Sequence, residues 1–218
     1  MITAFQLIFS PFETWERITT AQRGFFWVLC VHLLPLLVIS IGIEGFLLNR
    51  LGEKQSDLGF MIRVPVDLAV RYAGAYLVLL LAGVMLSAKF LALASESFNV
   101  HTTFAQSFVV MAYGFGPIIL ARVLDGVPFV NTWVCWAIGV VASVSVLYHG
   151  IGMVLRPDQT KGFGLYLMAI IIVVLMSAAA HFVALSVLHG KPLRFHAQSS
   201  TPLLVRSASA SPAGATPS

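Results

Sequence analysis

The chain has 218 residues, of which 58% are hydrophobic and only 10% charged, and its mean hydropathy is +0.90. A water-soluble domain carries roughly 25% charged residues, so the composition excludes one and indicates an integral membrane protein. The net charge of +4 comes with no basic run or basic face, which excludes a nucleic-acid surface.

At the N-terminus, Ser10-Pro11-Phe12-Glu13 fits a capping box, with Ser10 as N-cap, Pro11 at the first helical position and Glu13 at the third. Phe12, Trp15 and Ile18 are spaced three apart and fall on one side of the helix that follows; Ile2, Phe5 and Phe9 share a face before it. This pattern predicts two short amphipathic helices over residues 1–23, lying in the membrane interface or packed on the bundle. Pro11 and Trp15 are the expected anchor. A cleaved leader is not expected, because the start lacks a basic region and the first apolar window is long enough to span. No lipidation box is expected either.

Five charge-free windows follow, at residues 24–43, 72–88, 97–121, 126–155 and 162–190. A spanning helix needs about 20 mostly apolar residues. The windows therefore predict five transmembrane helices, at 25–48, 70–93, 104–123, 131–154 and 163–188. Strand-like alternation is absent, which argues against a β-barrel.

Within the first span, Glu44 is the most suggestive acid. An ionisable group in a bilayer is costly and points to function by default. Its place near the helix end, where water can reach it, favours an interfacial structural acid over an ion or proton site. His32, His149 and His181 each lie in an apolar span. They are either single packing histidines or, if they meet in the core, a metal or proton site. No ligand-spaced pair lies on one helix.

Tyr113-Gly114-Phe115-Gly116-Pro117 is expected to kink or break the third span, because Pro117 has no N–H and its ring presses on the preceding turn. Such a break serves close packing, or lines a substrate site as in transporters. Tyr148-His149-Gly150 ends the fourth span, and Gly150 and Gly152 allow close helix contact. The polar turn from Arg156 to Gly162 is either simply solvated or places Arg156 and Lys161 against phospholipid phosphates. The stretch over 191–218 is rich in Ser, Ala and Pro and is expected to be disordered.

Catalytic and cofactor signatures are missing. Cys30 and Cys135 lie far apart in apolar runs and suggest neither a disulfide framework nor a zinc knuckle. There is no G-x-S-x-G, Walker A or H-E-x-x-H motif. No enzyme activity, metal or cofactor is expected. Counting Lys and Arg by side gives five on the N-terminal side and eight on the other, which by the positive-inside rule places the N-terminus outside.

The order of these features resembles bacterial Yip1-domain proteins. The opening Phe9-Ser10-Pro11-Phe12-Glu13-Thr14-Trp15-Glu16-Arg17-Ile18 is similar to the start of that family. So are the third-span entry His101-Thr102-Thr103-Phe104-Ala105-Gln106-Ser107-Phe108 with Ala112-Tyr113 and Gly116-Pro117, and the fourth-span exit Tyr148-His149-Gly150. The resemblance covers residues 5–188 and implies an all-helical five-span membrane protein. Eukaryotic members of the family look like partners of small prenylated GTPases and of each other in vesicle trafficking. This chain lacks their long soluble N-terminal region and their DLYGP motif. The resemblance implies a cytosolic N-terminus, against the charge count.

The fold class expected is thus all-α: a polytopic five-helix bundle over 24–190, interfacial helices over 1–23 and a tail over 191–218. The function expected is a non-enzymatic scaffold or interaction protein of a bacterial cytoplasmic membrane, contacting lipids, other membrane proteins or its own copies. Pro11 and Trp15 would anchor it, with Tyr113, Gly116, Pro117 and His149 in the bundle interior. The alternative is a small-solute or ion permease, in which Glu44, the broken third helix and His149 converge on a polar cavity.

Overall fold

In hydrocarbon the backbone has no water to bond, so each apolar window must satisfy its N–H and C=O groups within its own segment, as a helix does. The computed structural model describes residues 2–21, 24–51, 53–54, 61–62, 65–125 and 131–188, and five of its helices are long and apolar enough to span a membrane. The tail expected over 191–218 lies outside the described residues.

Two short helices come first, α1 (Ile2–Phe9) and α2 (Pro11–Thr20). The first span is helical from Phe25 to Leu51, with a π-helical stretch at Val28–Leu33. The second span is Val66–Ser97, the third Phe104–Asp125 and the fifth Gln159–Leu188. The fourth runs Thr132–Gly150 and continues as a π-helical stretch, Ile151–Leu155. Between the first two spans, Glu53–Lys54 pairs antiparallel with Met61–Ile62. The second span, at 32 residues, is longer than its window predicts. At about 1.5 Å per residue its length exceeds the hydrocarbon thickness of about 30 Å.

Chain direction sorts the ends. The first, third and fifth spans run away from α1 and α2; the second and fourth run back. The N-terminal side of the bundle therefore holds α1, α2, Gly24, Ser97, Phe104 and Leu155. The far side holds the ends near Leu51, Val66, Asp125, Thr132 and Leu188.

The third span is the core. In its apolar stretch 83% of residues are buried, against 33–39% in the other four. It packs on the first, second and fourth spans, while the fifth packs mainly on the second. Its contact with the fourth span is backbone-close: a Cβ on Gly139 would sit 2.9 Å from the Ile118 Cα and 3.4 Å from the Pro117 carbonyl oxygen. That spacing is why a glycine stands there.

Two local expectations need correction. Of the kink or break expected at Pro117, the break does not occur: the third span is helical through it, because neighbouring helices hold it on nearly every side. At α2, Ser10 and Pro11 occupy the N-cap and first-turn positions, but the Ser10 side chain makes no cap bond. Instead Thr14 reaches back, its Oγ1 donating to the Ser10 carbonyl at 2.8 Å.

Candidate functional site

Charge on a spanning helix demands a partner, and the far side of the bundle supplies one to Glu44. Glu44 and Arg122 are 3% and 4% exposed. Arg122 Nη2 donates to Glu44 Oε1 at 2.6 Å and to the Tyr72 hydroxyl at 2.9 Å. Tyr72 in turn donates to Glu44 Oε1 at 2.9 Å. Arg122 Nη1 lies 2.6 Å from His181 Nδ1. A guanidinium only donates, so Nδ1 is the acceptor and the ring proton sits on Nε2.

Aromatic rings enclose this cluster. The Arg122 guanidinium carbon stands 4.3 Å from the centroid of the Tyr76 ring, a cation–π contact. Tyr76 is stacked one turn from Tyr72 with an interplanar angle of 2°. Trp133 meets His181 edge-on at 6.3 Å. One turn deeper, Trp136 Nε1 donates to Ser177 Oγ at 3.2 Å. All five spans thus contribute a side chain, and among the described contacts the Arg122 cation is paired with the Glu44 carboxylate. Opposite charges bonded at this distance reduce the cost of placing each in a low-dielectric interior.

Glu44 is therefore not the water-reached acid that its position suggests; it is buried and ion-paired. The spans histidines do not meet. His181 belongs to the far-side cluster. His32 is buried against Tyr113 with ring centroids 4.2 Å apart. His149, expected in the bundle interior, is half-exposed and its Nδ1 bonds only the Ser145 carbonyl of its own helix among the contacts described. Glu44 and His149 sit toward opposite ends of the bundle, so the convergence of Glu44, a broken third helix and His149 does not occur. No group of three His, Cys, Asp or Glu among the described residues has metal-binding geometry.

The N-terminal side is organised around Trp15. Its indole is fully buried and Nε1 donates to the Val146 carbonyl at 2.9 Å. Trp15 occupies the space a Cβ on Gly150 would need. Tyr113, also fully buried, meets the Trp15 ring edge-on at 5.6 Å. Gly116 and Pro117 lie on the same buried helix, and Gly116 has Ala4 of α1 and Leu36 of the first span beside it.

The buried face of the N-terminal helices is Ala4, Leu7, Thr14, Trp15 and Ile18. The expected grouping of Phe12 with Trp15 fails, for Phe12 is 60% exposed. Three-residue spacing slips about 60° per step at 3.6 residues per turn, and Trp15 fixes the rotation. Phe5 and Phe9 share a face as expected, but it is the outward one.

A family model, the Yip1 domain, matches residues 5–181. The chain belongs to the Yip1-domain family. The match takes in α1, α2 and all five spans as far as His181. Comparison with curated proteins and with solved structures finds no match. As a Yip1-domain protein with five spanning helices, it is an integral membrane protein in contact with lipid.

Arg122, Tyr72 and Tyr76 carry no local motif that marks them as members of a cluster. A signal for the ion pair was present. Glu44 and Arg122 bear opposite charges and each lies within a turn of the far end of an apolar stretch, Leu47 and Leu124 respectively. The two spans run parallel, which puts these residues at one depth.

Proposed function

We propose that this Yip1-domain protein is a non-enzymatic scaffold of a bacterial cytoplasmic membrane, with 24–190 as its membrane domain and 1–23 as the helices through which it meets partners. The observation behind this reading is the docked N-terminal pair. Trp15 and Leu7 lock the helices to the bundle while Phe5, Phe9 and Phe12 face outward as an aromatic edge. An interfacial aromatic edge on a fixed support suits contact with lipid, another membrane protein or a second copy. The core supports the same reading. A third span buried over most of its length, and a far-side cluster tying all five helices, favour a static body over one that rocks open.

The test is photo-crosslinking in native membranes from a benzoyl-phenylalanine placed at position 12, with position 31 on an exposed face of the first span as the comparison. Discrete protein adducts from position 12 and lipid adducts from position 31 are expected. No protein adduct from position 12 overturns the scaffold reading. Liposome flux completes the test: no solute movement is expected from the wild type or from Glu44→Gln, whereas flux abolished by Glu44→Gln establishes the permease.

A further inference from the structure

A groove of about 480 Å³ opens on the N-terminal side where α2, the start of the third span and the end of the fourth span meet. That volume lies within the range of small-molecule sites, about 300–1,000 Å³. Its wall is Ile18, Val109, Met153 and Val154, and its polar edge is Gln106 and Arg156. Among the described residues Arg156 is the one charged side chain lining it, and no acid does so.

Arg156 is unusual in two respects. It ends the fourth span in the left-handed conformation, φ 45° and ψ 52°, where Gly or Asn is the ordinary residue and a side chain costs about 1 kcal/mol. It also makes no ion pair among the described residues. Gln106 is similarly poised. Its Oε1 accepts from the Thr103 N–H at 2.9 Å and from the Thr103 hydroxyl at 3.1 Å; the N–H can only donate, so the amide oxygen is held at the helix start. Gln106 lines the groove, and no described contact occupies its amide NH₂.

Depth identifies the occupant. Arg156 and Gln106 lie at span ends, where the phosphates of a surrounding bilayer would meet the bundle. Val109 is a turn deeper on the third span, and Met153 and Val154 are deeper on the fourth. The groove thus passes from a cationic, donor-bearing rim to an apolar wall in the direction a lipid runs. The geometry points to a bound glycerophospholipid, its phosphate on Arg156 and the Gln106 amide and the start of an acyl chain along Val109 and Met153. Because Ile18 of α2 forms one wall, the lipid also joins the N-terminal helices to the third and fourth spans. This deepens the scaffold reading by naming a lipid class and its site, but it does not depend on any protein partner.

The test is native mass spectrometry of the full chain in detergent, titrated with phosphatidylglycerol. Arg156→Gln is expected to weaken the first lipid-bound state at least fivefold, and Met153→Trp, which fills the groove and keeps the charge, to weaken it similarly. Arg71→Gln, which removes an exposed cation from the far side, is expected to change nothing. Diacylglycerol, lacking phosphate, is expected not to compete, and millimolar inorganic phosphate alone not to displace the lipid. Wild-type binding by Arg156→Gln, equal loss in Arg71→Gln, competition by diacylglycerol, or displacement by inorganic phosphate each overturns the assignment. Melting curves of the variants separate lost binding from lost folding. Crosslinking at position 12 reads a protein contact instead, so either result can fail without the other.

Discussion

Arg122 Nη2 and Glu44 Oε1 lie 2.6 Å apart across 78 residues of sequence, inside a helix bundle and shielded from solvent. The pair joins the first span to the third, and through Tyr72 and His181 it reaches the second and fifth. Removing one partner leaves the other as an uncompensated buried charge, which costs about 3–5 kcal/mol. Glu44→Gln and Arg122→Met should therefore each lower the melting temperature in detergent markedly. The double variant should recover much of the loss, since it buries no lone charge. Additive losses in the double variant would show that the two side chains act separately.

His181 offers a finer test of the same cluster. Its Nδ1 accepts from Arg122. His181→Phe keeps the ring volume but removes the acceptor, and an unsatisfied buried donor costs about 1–3 kcal/mol, more when charged. His181→Gln supplies a carbonyl oxygen near the same place. The expected order of thermal stability is wild type, then His181→Gln, then His181→Phe. Equal melting of the two variants contradicts a hydrogen-bonding role.

The N-terminal helices should come away from the bundle when Trp15 is changed. Trp15→Phe loses the bond to the Val146 carbonyl, worth about 0.5–1.5 kcal/mol, whereas Trp15→Ala also opens a cavity and costs about 3–5 kcal/mol. Gly150→Val displaces the indole from the other side, because its Cβ would overlap the ring. Limited trypsin digestion reads the outcome at Arg17, whose carbonyl holds Ala21 in the helix end. Cleavage there should quicken in the order Trp15→Phe, Trp15→Ala. Uniform protection across the three variants removes Trp15 as the anchor.

Hydropathy is a local sum, so the five spans could be read from the charge-free windows, with ends displaced by a few residues. Pro11 at the first turn of α2 was legible for the same reason: its fixed φ acts within one residue. The far-side cluster was not, because its bonds join residues 28, 50, 59 and 78 positions apart, and nothing local marks which helix faces which. Phe12 faces away from Trp15, which its position could not show, because spacing predicts a relative angle but not which angle meets the bundle. That choice was made by Trp15 and the notch at Gly150. Pro117 promised a break by its own chemistry, and the surrounding helices kept the segment helical.

Pro117 and Gly139 test how the third and fourth spans meet. Pro117 is buried and its carbonyl oxygen lies on the side of Gly139. Restoring an N–H with Pro117→Leu permits one more intrahelical bond but adds a branched side chain to a filled interior, and overpacking costs about 1–3 kcal/mol. Gly139→Leu should be worse, since its Cβ alone would approach the Ile118 Cα to 2.9 Å and backbone must shift to admit it. Both variants should melt below the wild type in detergent, with Gly139→Leu the lower. Cysteine crosslinking between the third and fourth spans gives a second reading: Gly139→Leu should reduce its yield by pushing the helices apart, and Pro117→Leu should reduce it less. An unchanged melting curve and unchanged crosslinking in Pro117→Leu mean that its ring has no part in setting the contact, leaving the approach to Gly139 alone.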